Sequence, residues 1–94
     1  MSAITRKGDA LTGHGCFGDH NIAVGSDNVF VNSIPVARAG DISTVHCCGP
    51  ACHNDVMSGS NTVFINGKSA QKVGDPVACG STQASGSSNV FIGK

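Results

Sequence analysis

The sequence has no Glu, no Trp and no Tyr, and its only aromatic residues are four Phe. So few large side chains leave little to build a deep core. A chain of 94 residues suffices for one domain but not for two independent cores. Charge is scarce as well: six Lys and Arg balance six Asp, giving a formal net charge of zero at pH 7. With no basic run, nothing electrostatic points to nucleic acid as a partner. No apolar stretch approaches the roughly 18 residues of a membrane span. The N-terminal Met1-Ser2-Ala3-Ile4-Thr5-Arg6-Lys7 lacks the apolar segment of a signal peptide. The expectation is synthesis in the cytoplasm, with export left to a dedicated machine.

What is abundant is glycine, with 13 residues, which suits short strands and closely spaced turns better than long helices. Comparing the chain with itself is more informative. Gly25-Ser26-Asp27-Asn28-Val29-Phe30-Val31-Asn32 matches Gly59-Ser60-Asn61-Thr62-Val63-Phe64-Ile65-Asn66, 34 positions further on, and a third, shorter copy is Gly86-Ser87-Ser88-Asn89-Val90-Phe91-Ile92-Gly93. A Gly-Asp pair recurs in step, at Gly8-Asp9, Gly40-Asp41 and Gly74-Asp75.

Each copy predicts a β-hairpin. Val29 and Val31 fall on one pleat face and Phe30 on the other. Asn66-Gly67 is the preferred pair for a two-residue turn, and Asn32-Ser33 holds the same place less ideally. Return segments follow at Pro35-Val36-Ala37-Arg38 and Ser69-Ala70-Gln71-Lys72. The third copy lacks one, and the N-terminal Ile4–Asp9 stretch can supply it, closing a ring of three. Closure is preferred to an open solenoid because it removes exposed strand edges. The expected fold is all-β: a small domain, 1–94, of three β-hairpin repeats with pseudo-threefold symmetry, stapled by a metal. Phe30, Phe64 and Phe91 become threefold equivalents, expected in the shared core.

The same register places metal donors. His14 lies five residues after Asp9, His46 five after Asp41, and Cys79 four after Asp75. In a threefold ring these side chains converge, and a fourth donor would complete a tetrahedral structural zinc site. His53 and His20 are the histidine candidates for it, and Cys47, Cys48 and Cys52 the thiolate ones. Five cysteines are an odd number, and in a reducing compartment a disulfide framework is a poor expectation. Adjacent Cys47 and Cys48 are badly placed to bond each other. Asp9, Asp41 and Asp75 read as turn residues, no phosphate loop or dinucleotide fingerprint is present, and no thiol is marked as activated. The chain reads as a structural or binding protein and not an enzyme. The rival reading is a small zinc-binding hydrolase or redox protein using the Cys-rich loop.

Together, the Gly-Ser-x-x-Val-Phe-Val/Ile-Asn copies, Pro35-Val36-Ala37-Arg38, and Gly-Asp followed by His14-Gly15 resemble the PAAR-repeat proteins, over Arg6 to Lys94. The second copy departs, with Ser69-Ala70-Gln71-Lys72 in place of Pro-Ala-Ala-Arg. The resemblance implies a small cone-like tip that caps and sharpens the trimeric β-helical spike (VgrG-like, or a phage tail spike) of a type VI secretion system or contractile phage tail. It implies one chain per trimer, transient contact with the target membrane during piercing, and possible effector cargo. It also implies one structural Zn2+ held by three histidines and one cysteine. Those positions map onto His14, His46 and Cys79, with His53 as the third histidine ahead of His20. With nothing after Lys94, a bare tip is expected.

Overall fold

The computed structural model describes residues 1–93, so the expectation about the chain's end at Lys94 lies outside the described residues. Among them there are strands and turns but no helix. Ten short strands pair two by two, always antiparallel. They are β1 (Ser2–Ala3), β2 (Ala10–Leu11), β3 (His20–Asn21), β4 (Phe30–Val31), β5 (Ile34–Pro35), β6 (His46–Cys48), β7 (Ala51–His53), β8 (Phe64–Ile65), β9 (Lys68–Ser69) and β10 (Phe91–Ile92).

Three pairs repeat one design. The β4–β5 and β8–β9 hairpins turn through Asn32-Ser33 (φ 56° and 65°) and Asn66-Gly67 (φ 55° and 78°). Both central residues thus have the positive φ of a type I′ turn. The third pair is made by the two ends of the chain: Ser2 pairs with Ile92 and Ala3 with Phe91. The N-terminus therefore supplies the missing return strand, two residues earlier than the sequence suggested.

Backbone bridges between units run in a cycle. Arg6 bridges Val36, Arg38 bridges Ala70, and Lys72 bridges Ile4, which returns to the first unit. A second cycle joins Ile22 to Ser43, Met57 to Val77, and Gln83 to Leu11. Each unit thus hands its free edge to the next, and the ring closes with pseudo-threefold order.

The recurring Gly-Asp has a local cause. Gly8, Gly40 and Gly74 have φ of 92°, 93° and 97°, as the third position of a type II turn requires. The Asp that follows each one turns its carboxylate back on the turn's first residue. It accepts that residue's backbone N–H and pairs with its side chain, as Arg6–Asp9 (3.0 Å), Arg38–Asp41 (2.9 Å) and Lys72–Asp75 (2.8 Å). These carboxylates are turn clamps.

Two apolar layers fill the ring. Ile4, Val36, Ala70 and Ile92 pack with Val29, Val31, Ile65 and Val90 beneath the three Phe-bearing hairpins. Leu11, Ile22, Ala37, Met57 and Val77 form the other layer, against which Cys79 packs. Between them lies a buried polar chain: Thr5 donates to Gln83, Gln83 to Gln71, and Gln71 holds both the N–H and the carbonyl of Gly59. Gln71 is one of the departures in the second copy, and its amide is fully engaged.

One expectation fails here. Phe30, Phe64 and Phe91 are threefold equivalents, but they are 54%, 64% and 50% exposed, not core. The smaller aliphatic neighbours occupy the inward pleat face, so alternation turns each ring outward.

Candidate metal centre

Each unit carries a second hairpin, and these three cluster on the side of the Leu11 layer occupied by Cys79. The first runs from β2 to β3, with His14 and Phe17 bridged around the Gly15-Cys16 turn. The second is β6–β7, which turns through Gly49-Pro50 and sets His46 directly opposite His53. The third is the short loop from Pro76 to Thr82 that carries Cys79.

These hairpins bring together the ring nitrogens of His14, His46 and His53 and the sulfur of Cys79, all within 4.8 Å of one another. His53 Nε2 lies 2.7 Å from His46 Nε2 and 3.1 Å from His14 Nε2. His46 Nδ1 donates to the Gly18 carbonyl at 2.7 Å, which leaves its Nε2 as a lone pair aimed into the cluster. Three converging imidazole nitrogens cannot all be satisfied by one another, since a proton on His53 serves only one neighbour at a time. A cation at the centre gives every lone pair a partner. The group could hold a metal, and four N and S donors suit a soft or borderline ion.

Loss of water, then repulsion from His46 and His53, holds the His14 imidazole below its ordinary pKa of 6.5. That favours the neutral form, the one able to ligate. Phe17, which sequence reasoning passed over, packs at a tilt against the cluster, its ring centroid 4.2 Å from that of His53 and 5.0 Å from that of His14. Its only signal was that it is the one Phe outside the repeat.

The rival donors are placed elsewhere. His20 is buried, donates from Nδ1 to the Thr44 carbonyl at 3.0 Å, and accepts at Nε2 from Ser81 at 2.9 Å. With both nitrogens engaged it does not join the cluster. It stacks face to face on His46 with centroids 3.7 Å apart, and so fixes that ring's position. Burial holds its pKa below the ordinary value, with a smaller opposing effect from the Thr44 bond.

The other candidate cysteines are paired, against the expectation of free thiols. Cys16 joins Cys48, with Cα atoms 5.4 Å apart, and Cys47 joins Cys52, with Cα atoms 4.1 Å apart. Cys47 and Cys48 are not bonded to each other. Alternation on β6 explains the outcome, because neighbours point to opposite faces, one toward the first hairpin and one across to β7. Cys79 alone is free.

This geometry sits on a chain whose residues 21–85, more than half its length, match the family model described as the PAAR motif. The chain belongs to the PAAR motif family. Similar proteins include the NAD(P)(+) glycohydrolase toxin Tse6 and the (p)ppApp synthetase toxin Tas1, both of Pseudomonas aeruginosa. Each is 40% identical over 76 residues, or 73% of this chain. The double-stranded DNA deaminase toxin A of Burkholderia cenocepacia is 40% identical over 75 residues, or 77% of this chain. The alignments cover only 18%, 17% and 5% of those toxins, so what this PAAR chain shares with them is a small part of each.

Proposed function

We propose that this chain is a structural spike tip: it caps and sharpens the trimeric β-helical spike of a contractile injection machine and helps pierce the target membrane. The observation that carries this reading is the exposed triad Phe30, Phe64 and Phe91 on a pseudo-threefold ring. One chain presents three similar apolar contacts, which resolves the mismatch between a monomer and a trimer. The metal cluster lies beyond the far apolar layer, leaving the Phe hairpins free to dock.

In this reading His14, His46, His53 and Cys79 ligate one Zn2+. Four donors close the tetrahedron, so the ion supplies rigidity by joining hairpins from all three units, and metal-binding free energy becomes folding free energy. A closed site, with Cys47, Cys48 and Cys52 in disulfides, also weighs against a hydrolase or redox enzyme built on the Cys-rich loop. PAAR segments within larger toxins support a place in a type VI secretion machine, delivered with the spike and carrying or accompanying effector cargo. No helix of the described residues is long and apolar enough to cross a membrane. Piercing would therefore rest on the rigid tip.

The test is stoichiometry. Mixed with a trimeric β-helical spike fragment, the chain should give a complex whose native mass corresponds to one chain per trimer. Three chains per trimer, or none, would sink the proposal.

A further inference from the structure

The Cys16–Cys48 bond has a distinctive position. Cys16 follows His14 by two residues, in the turn between His14 and Phe17, and Cys48 follows His46 by two residues on β6. The bond therefore ties the hairpin bearing one candidate ligand to the hairpin bearing two others, across a unit boundary and a sequence separation of 32. Side chains also meet across this boundary, with Phe17 against His53 and His46 and His20 stacked on His46, but none of these contacts is covalent. The His14 turn bonds mostly to itself, and the Gly18 carbonyl reaches across to His46. The Cys47–Cys52 bond differs in kind. Its separation is 5, and it spans only the strands of one hairpin, which the backbone already pairs.

An ion held by donors from three hairpins leaves when one hairpin swings away, a local opening well below global unfolding. A covalent link between two of the three removes that motion for them. We propose that Cys16 and Cys48 are an oxidative cross-linking site whose closure locks the metal centre, an inference that rests on the metal reading above. The co-reactant is a small or protein-borne disulfide. Its S–S bond is broken and becomes two thiols, Cys16 Sγ and Cys48 Sγ lose their hydrogens and bond to each other, and two electrons pass from the cysteine pair to the oxidant. Cys16 is exposed and Cys48 half-buried, so an oxidant can reach both.

The experiment compares zinc-loaded protein treated with glutathione disulfide and the same protein kept reduced. Non-reducing peptide mass mapping and zinc release to a colorimetric chelator are measured on each. Mapping should recover a Cys16–Cys48 peptide. Release should be about tenfold or more slower in the oxidised form, since the link restricts an opening that would otherwise separate two hairpins. The Cys47→Ser/Cys52→Ser protein should keep that difference and Cys16→Ser should lose it. Equal release rates with zinc bound in both forms, or a free Cys16 after oxidation, overturn the lock alone. If neither form binds zinc, the metal reading falls and takes the lock with it.

Discussion

Replacing His53 by Ala separates metal binding from packing, because the size of the effect should depend on the metal. In the metal-free protein His53 Nε2 is crowded by His46 at 2.7 Å and by His14 at 3.1 Å, and the half-buried ring otherwise packs mainly on Phe17. Truncation loses some packing but relieves the crowding, so the net change should stay within about 1 kcal/mol. With zinc the balance is different. Free zinc at about 1,000 times its Kd stabilises the folded state by about 4 kcal/mol. For a domain of this size that is a rise of roughly 15–30 °C in Tm. Losing one of four ligands should weaken affinity by at least the ~100-fold that outer-shell losses reach, removing about 2.7 kcal/mol of the gain. Thermal melts of wild type and His53→Ala, each with chelator and with excess zinc and all fully oxidised, read both quantities. The reasoning is refuted if the two proteins differ equally in chelator and in zinc, because His53 would then be a packing residue only.

Other outcomes follow from the same geometry. Replacing Phe30, Phe64 and Phe91 together by Ser should leave the melting temperature nearly unchanged, since the rings are half or more exposed, yet abolish co-migration with the trimeric spike; retained co-migration would clear the triad of any docking role. Asp41→Ala should cost about 3 kcal/mol in urea unfolding, because the Arg38–Asp41 side chains are only 14% and 4% exposed and removal takes the carboxylate from both the guanidinium and the Arg38 backbone N–H, leaving the guanidinium only Asn66 and the Gly25 carbonyl; a loss under about 1 kcal/mol would mean that water screens the pair. Acid should destabilise the metal-free protein through His20 and His14, whose folded pKa values lie below 6.5. The unfolded chain then binds more protons, so their contribution is complete above pH 6.5 and is lost as pH falls toward the lower folded values. Urea midpoints between pH 7.5 and 5 should show this slope, and His20→Phe should flatten it; an unchanged slope would exclude His20 as a source.

The parts of this molecule legible in its sequence are those set by local backbone physics. Asn66-Gly67 announces its turn because both residues must have positive φ, and Gly-Asp recurs because a type II turn needs glycine before the clamp. Once three units were in register, the meeting of His14, His46 and Cys79 followed from symmetry alone. His53 was harder, since its place depends on a hairpin that only the second unit extends so far. Alternation separated Phe30 from Val29 and Val31 but did not say which side faces inward; that depended on the aliphatic layer assembled from all three units. The Cys16–Cys48 pairing was hidden for a related reason. It depends on how one unit's hairpin leans on the next, and no spacing within a single unit encodes that.

The pairing of β1 with β10 sets a constraint on how the molecule comes into being. Residues 2 and 3 find their partners only at residues 92 and 91. During synthesis the first strand therefore waits, unpaired, until residues 91 and 92 have left the ribosome. Local hairpins such as β4–β5 and β8–β9 can form early, while the seam that joins the ends forms last, at the greatest cost in chain entropy. A nascent chain stalled before residue 91 would hold its local hairpins and an open edge, with a strand template exposed to any neighbour. Closure of the ring therefore cannot precede the appearance of residues 91 and 92.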